Sequence, residues 1–228
     1  MKLSVIIPVY NEVNTLPKIV EELLSLDLEL EKEIIIVDDG STDGTREFLK
    51  NLSKPEVKAF FHPKNKGKTD AIKTALSAVS GDIVIVQDAD LEYPPSENYR
   101  IVLEPVLKGY ADVVYGSRFL GVHRVFMFWH YFANKFLTTF INILYNTMLS
   151  DMETGVKVFR AEVLKGIKLT SKGFGFEPEV TAKVFKRHLR VYEVPIVYCG
   201  RTYQEGKKIT FLDGLKAVFA IIKYRFVD

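Results

Sequence analysis

The chain predicts an α/β fold, a mainly parallel sheet with helices flanking both faces. Three observations carry that prediction. Short runs of strand length alternate with helical patterns through the first half, which is the order of βα units. The runs are continuously aliphatic and β-branched, as strands buried on both faces are. The polar motifs of that half sit where these runs stop, and ligands of such sheets bind outside the carboxyl ends of the strands.

Strands are expected at 3–9, 33–38, 57–61, 82–87 and 112–116, each a compact apolar run. Helices are expected between them at about 15–25, 43–51, 69–79 and 95–108. Asp43 has the chemistry of an N-cap for the second helix, Thr69 stands near the start of the third, and Pro94-Pro95 opens the fourth. The second half is less regular. An aromatic helix is expected over 126–149, a turn and short strand over 151–160, and a helix over 178–188. A strand over 191–198 and a terminal helix over 211–226 follow. No internal repeat or Pro/Gly/Ser-rich linker divides the 228 residues, so they form one domain. Residues 1–118 carry the ligand motifs, and 119–228 form an elaborated second side.

Composition is that of an ordinary globular protein, 47% hydrophobic and 26% charged. A single cysteine, Cys199, excludes an internal disulfide and suits a reducing compartment. No signal peptide is expected ahead of the first strand-like run. The richest apolar stretch, 126–149, is broken by His130, Asn134, Lys135, Asn142 and Asn146, so no transmembrane span is expected. The net charge of +2 hides an asymmetry: residues 183–228 carry ten Lys/Arg against four Asp/Glu. A basic tail suits phosphate-bearing ligands or an anionic membrane surface. No nucleic-acid recognition motif accompanies it.

Residues 87–93, Gln-Asp-Ala-Asp-Leu-Glu-Tyr, follow the fourth run. In extended geometry Asp88, Asp90 and Glu92 share a face, and three carboxylates that close repel unless a cation intervenes. A hard divalent ion with oxygen ligands, Mg²⁺ or Mn²⁺, answers that repulsion and also holds substrate phosphates. After the second run, residues 38–45 join two carboxylates, two glycines and a helix start. Such carboxylates can bind a nucleobase edge and ribose hydroxyls. After the third, Asn65-Lys66-Gly67-Lys68-Thr69 puts two lysines beside a glycine and a helix N-terminus, suited to a diphosphate but lacking the Walker spacing.

Pro8-Val-Tyr-Asn-Glu12, the 38–45 segment, Asn65-Lys-Gly67, Asp88-Ala-Asp90 and Gly116-Ser-Arg118 occur in the order typical of family 2 glycosyltransferases. Together they resemble the dolichyl-phosphate mannose/glucose synthase branch. The resemblance implies a GT-A fold, an inverting mechanism and a divalent metal. It implies that Pro8, Tyr10, Glu12 and Asp39 form the nucleoside pocket, with Lys68 and Asp88 also on the nucleotide side. Asp90 and Glu92 would hold the metal; Glu92 stands where many mannose synthases have Gln. Arg118 resembles the arginine that receives a lipid-phosphate acceptor. The second arginine expected near Ala133-Asn134 is missing, leaving His123, Arg124 or His130 to compensate.

Asp151 and Glu153 lie in a segment resembling the acceptor side of the family, where a carboxylate in many inverting enzymes deprotonates a hydroxyl. A phosphate acceptor needs no base, so an orienting or turn-capping role stands beside a catalytic one. Residues 173–179 add glycine hinges, Phe176, Glu177 and Glu179 near the expected sugar site. The 200–208 loop, with Arg201, Lys207 and Lys208, suits closure over a diphosphate. In the terminal helix Leu212, Leu215, Phe219, Ile222 and Phe226 make a stripe typical of core packing, with Lys216, Lys223 and Arg225 beside it. An interfacial helix is the alternative.

The expected activity is transfer of a hexose from GDP-mannose or a UDP-hexose to polyprenyl phosphate, by an enzyme peripheral on the cytoplasmic face of a membrane. The rival acceptor is a sugar or lipid hydroxyl in cell-surface glycan synthesis. A noncatalytic nucleotide-sugar or membrane-binding module is the rival from another class.

Overall fold

The structure, a computed structural model, describes residues 1–173, 175–202 and 211–227, the side chains of 211–213 excepted. Its centre is a seven-stranded sheet of β1 (Lys2–Val9), β2 (Glu31–Asp38), β3 (Val57–Phe61), β4 (Ile83–Val86), β5 (Val113–Ser117), β6 (Lys157–Arg160) and β7 (Val191–Pro195). The spatial order is β3-β2-β1-β4-β6-β5-β7. All neighbours run parallel except at β6, which is antiparallel to both β4 and β5.

The helices are α1 (Leu16–Ser25), α2 (Thr45–Asn51), α3 (Lys68–Leu76), α4 (Pro95–Leu107), α5 (Phe128–Tyr145), α6 (Ala161–Gly166), α7 (Phe176–Lys186) and α8 (Phe211–Phe226). Strand alternation sends side chains to two cores. Leu3, Val5, Ile7, Ile34, Ile36, Ile83 and Ile85 pack under α1 and α4, around Leu16, Ile19, Leu23, Tyr99 and Val102. Ile6, Ile35, Val37, Val84 and Val86 pack on the other face with Ile72 of α3, Leu164 of α6, and Phe176 and Val180 of α7. Each fully buried Ile or Leu contributes about 1.5–3 kcal/mol relative to exposure. A third cluster joins α5, α7 and α8 through Leu137, Ile141, Tyr145, Ala182, Ala217, Ile221 and Tyr224.

The expected mainly parallel architecture is therefore present, with local differences. The fourth strand stops at Val86 and the seventh at Pro195, which has no N–H for a further ladder bond. The aromatic helix ends at Tyr145, where Asn146 turns left-handed at φ 51°. Asp43 is not the cap residue of α2; Gly44 is. Asp43 nonetheless accepts hydrogen bonds from the Thr45 amide at 3.0 Å and from Thr45 Oγ1 at 2.6 Å. Helix α6 has no expected counterpart.

The terminal stripe faces outward. Leu215, Phe219, Ile222 and Phe226 are exposed, while Ala217, Ile221 and Tyr224 of the opposite face are buried. Helix α5 repeats the pattern: Leu137, Ile141 and Tyr145 face inward, and Phe128, Trp129, Phe132 and Phe136 face out. Among the described residues no helix is long and apolar enough to cross a membrane.

Candidate active site

The loops after β1, β2 and β3 are stitched together at the carboxyl rim. Asn11, left-handed at φ 54°, donates its amide to Ser41 Oγ (2.9 Å) and accepts the Thr42 amide on Oδ1 (2.8 Å). The Glu12 amide donates to Thr45 Oγ1 (3.1 Å) and the Val13 amide to Asp43 Oδ2 (3.0 Å). Gly40 lies so close to the third loop that a Cβ would fall 2.6 Å from the Lys64 carbonyl carbon. Pro8 is half-buried and Tyr10 exposed at this end.

Asp39 is buried and accepts three interactions. The Lys66 amide lies 2.9 Å from Oδ1, the Gly67 amide 2.7 Å from Oδ2, and His62 Nδ1 2.7 Å from Oδ1. A carboxylate has about four acceptor positions, so roughly one remains for a ligand. Asp39 thus shapes the third loop as well as facing the expected pocket. Its neighbour Asp38 is a structural acid, accepting from the Ser41 amide and Arg46 Nε.

The acidic corner does not arise by strand alternation. After Val86 the chain bends, and Leu91 turns left-handed at φ 61°. Asp88, Asp90 and Glu92 therefore do not share a strand face: Asp88 meets Lys68, while Asp90 and Glu92 both meet Arg201. Asp88 Oδ1 lies 2.7 Å from Lys68 Nζ, which also lies 2.6 Å from Glu177 Oε1 of α7. Asp90 Oδ2 accepts from Arg201 Nη2 at 2.8 Å. Glu92 accepts the Arg201 amide on Oε1 (2.8 Å) and the Tyr198 hydroxyl on Oε2 (3.1 Å). Burial, then repulsion from Asp88 and Glu92, push the Asp90 carboxyl up to about 7 against the pull of Arg201. Among the described residues no group of three or more His, Cys, Asp or Glu side chains is arranged to hold a metal ion. Open oxygen sets that leave room for water and phosphate are the usual home of Mg²⁺ and Mn²⁺.

Lys68 is committed to two carboxylates, Asp88 and Glu177. Burial opposes its charge, but Asp88 and then Glu177 outweigh burial and raise its pKa. Gly155 makes room for this corner: a Cβ there would lie 2.2 Å from Asp88 Oδ2 and 2.7 Å from Tyr93 Cε2. Gly67, at φ 95°, meets Gly173 so closely that a Cβ would fall 2.5 Å from its Cα. The third loop and the lead-in to α7 touch backbone to backbone.

On the second side, Arg118 and Asp151 form a buried two-pronged pair, Nε–Oδ2 and Nη2–Oδ1 both at 2.7 Å. Nη2 also donates to Asn134 Oδ1 of α5 at 3.2 Å. Burial opposes the charge, yet Asp151 raises the Arg118 pKa further. Both carboxylate oxygens of Asp151 are thus engaged by Arg118. Glu153 differs: its Oε1 is buried without a hydrogen-bond partner, and burial plus Glu177 push its carboxyl up to about 7. Lys157, also buried, is held down to about 8 by desolvation, with Glu177 and Glu153 opposing.

Where the second arginine was expected, α5 carries Lys135 beside Arg118. Its Nζ lies 5.1 Å from the Phe119 ring centre, and Arg118 Cζ lies 5.6 Å from the same centre. His123 stacks on Phe126 at 4.4 Å, Arg124 Nη1 donates to the Gly200 carbonyl, and the His130 carbonyl accepts from Asn134. Tyr93, Tyr198, Phe126, Phe119 and Tyr131 form a chain of ring contacts 5.2–6.1 Å apart, from the acidic corner to α5. Lys207 and Lys208 lie outside the described residues.

Lys68, Glu153 and Glu177 were named from sequence, but their pairings, Lys68–Glu177 and Glu153–Lys157, were not, nor were Lys135 and the ring chain as site features. Glu177 carried one signal, an acid in the first turn of a helix beside glycines.

Residues 4–168 match the model of glycosyl transferase family 2. The chain is 30% identical over 231 residues to a dolichol-phosphate mannosyltransferase of Pyrococcus furiosus, covering 98% of this chain and 64% of that protein. It is 32% identical over 211 residues to an undecaprenyl-phosphate 4-deoxy-4-formamido-L-arabinose transferase of Proteus mirabilis, covering 90% and 62%. The chain thus spans just under two thirds of the length of these curated relatives. In fold it is similar to glucosyl-3-phosphoglycerate synthase of Mycobacterium tuberculosis, solved with Mn²⁺, uridine diphosphate and phosphoglyceric acid. The TM-score is 0.76 at 19% identity, over 100% of this chain and 79% of that one.

Proposed function

The chain belongs to glycosyl transferase family 2, and on that premise we propose that it is an inverting, metal-dependent hexosyltransferase acting on polyprenyl phosphate. The carrying observation is the meeting of Glu12, Asp88, Asp90 and Glu92 at one rim, with Lys68 and Arg201 as their cations. The donor is a nucleotide diphosphate sugar, GDP-mannose or a UDP-hexose, lying across the loops of Pro8, Tyr10, Glu12 and Asp39. Asp90, with Glu92 and Asp88 beside it, would hold a Mg²⁺ or Mn²⁺ ion, which supplies charge stabilisation for the departing diphosphate. Arg201, together with Lys207 and Lys208, adds positive charge on that side.

An acceptor phosphate oxygen is already ionised and attacks the anomeric carbon without a base. Arg118, held in orientation by Asp151, and Lys135 set the positive field in which it docks. Catalysis is then positioning and electrostatic stabilisation. The outward rings of α5 and α8, flanked by Lys135, Lys216, Lys223 and Arg225, support docking on an anionic membrane surface. Cys199, exposed and unpaired, suits the reducing cytoplasmic face.

A second reading, a hydroxyl acceptor, is favoured by one observation: Glu153 has an unpartnered oxygen and a carboxyl pushed up to about 7, suited to a general base. A donor panel with short polyprenyl phosphate or a glycoside acceptor, following radiolabelled product, separates the two. Polyprenyl-linked product from a Glu153→Gln variant at near wild-type rate supports phosphate attack. Product only on the hydroxyl acceptor overturns it. Near-normal turnover in Asp90→Ala sinks the metal assignment.

A further inference from the structure

We propose that Arg201 is a stand-in cation: its guanidinium holds Glu12, Asp90 and Glu92 together until a divalent ion displaces it. The displaced side chain then meets the diphosphate that arrives with the ion. The inference rests on the metal-dependent reading above and adds to it a coupling between ion and nucleotide.

The geometry separates Arg201 from Arg118. Arg118 meets one carboxylate with two bonds of 2.7 Å, the matched fork that makes such pairs strong. Arg201 is spread over three acids instead. Nη2 lies 2.8 Å from Asp90 Oδ2, Nη1 3.5 Å from Glu12 Oε2, and Nε 3.7 Å from Glu92 Oε1. Nε is buried with no hydrogen-bond partner. One guanidinium facing three carboxylates leaves the corner under-neutralised, and a dication on the same oxygens answers the residual repulsion better.

Release of the side chain does not require release of the segment. The Arg201 amide donates to Glu92 Oε1 at 2.8 Å, and the Cys199 amide donates to the Glu92 carbonyl at 2.9 Å. The backbone is thereby moored to the acidic turn while the long side chain can swing. Lys68 cannot take over the role, being held between Asp88 and Glu177.

The test is Mn²⁺ binding to the full chain, read from the electron paramagnetic resonance of free Mn²⁺, in wild type, Arg201→Gln and Arg201→Lys. Without nucleotide, Arg201→Gln should bind Mn²⁺ on the order of tenfold tighter than wild type, because a competing positive charge is gone. Arg201→Lys should stay close to wild type. With saturating UDP or GDP the order should reverse, because the displaced arginine no longer contributes to the diphosphate. Should Arg201→Gln fail to fold, the arginine Nε resonance of wild-type Arg201, assigned by its loss in Arg201→Lys, must shift on Mg²⁺ addition. Equal or weaker Mn²⁺ affinity in folded Arg201→Gln, or an unmoved Nε resonance, overturns the proposal and leaves the metal reading standing. Absence of Mn²⁺ binding in wild type with either nucleotide overturns both.

Discussion

Arg118 and Asp151, 33 residues apart, are joined by two 2.7 Å bonds in a site where the carboxylate is wholly buried. Removing one partner strands a charge, which costs about 3–5 kcal/mol, whereas replacing both by apolar groups of similar volume costs far less. Arg118→Met and Asp151→Leu should each lower the urea midpoint strongly, and the double variant should recover most of the loss. The same pairing predicts that Asp151→Asn loses stability without moving the pH–rate profile.

Gly155 leaves no room for a methyl group between Asp88 and Tyr93. Gly155→Ala should push Asp88 off Lys68. A displacement of about 1 Å at such a site costs on the order of 10²-fold in rate. Steady-state kcat/KM for the donor measures it, and a change below twofold would show that Asp88 does not need its present place.

Glu153 and Lys157 set opposite slopes in stability against pH. The Glu153 carboxyl, raised from 4.5 to about 7, lets the native state hold a proton that the unfolded chain has released. Stability from this group therefore falls as pH rises from about 4.5 to 7. Lys157, lowered from 10.5 to about 8, does the reverse, and its contribution grows between about 8 and 10.5. Urea midpoints of Glu153→Gln should show a shallower lower slope, with the share of Asp90 remaining, and keep the upper one.

The outer face of α5 should govern membrane binding and little else. Phe128, Trp129, Phe132 and Phe136 are 54–74% exposed, so polar replacements there change stability by about 0.5 kcal/mol or less. Burying one such ring contributes about 1.5–3 kcal/mol. Trp129→Ser with Phe132→Ser should therefore weaken binding to anionic vesicles by roughly 100-fold, with the thermal midpoint nearly unchanged. Co-sedimentation with phosphatidylglycerol vesicles reads the difference, and unchanged binding removes this face from the membrane.

The polar rim was legible because each of its motifs interrupts an aliphatic run, so topology alone brings Glu12, Asp39, Asp88 and Arg118 to the carboxyl edge of the sheet. What stayed hidden depended on long-range packing. Lys68 and Glu177 are 109 residues apart and meet only because α7 lies against the sheet face that carries α3. Nothing in the Lys157–Arg160 tetrapeptide reports that its strand runs backward. The stripe of α8 was visible as periodicity, but periodicity does not say which apolar face finds a partner. Ala217, Ile221 and Tyr224 found α5 and α7, and Phe219 found none among the described residues.

The backward strand has a consequence for how this chain is made. Strand β5 is sequence-adjacent to the nucleotide-side motifs, yet its only sheet neighbours among the described residues are β6 and β7. During synthesis residues 113–117 are made some 40 residues before Lys157–Arg160 exists to pair with them. The first four strands can zip in order, but Arg118 has no sheet to hang from until the later segment arrives. A ribosome stalled just short of residue 157, with residue 118 already clear of the exit tunnel, should therefore carry a folded nucleotide-side core whose last strand is still open to protease.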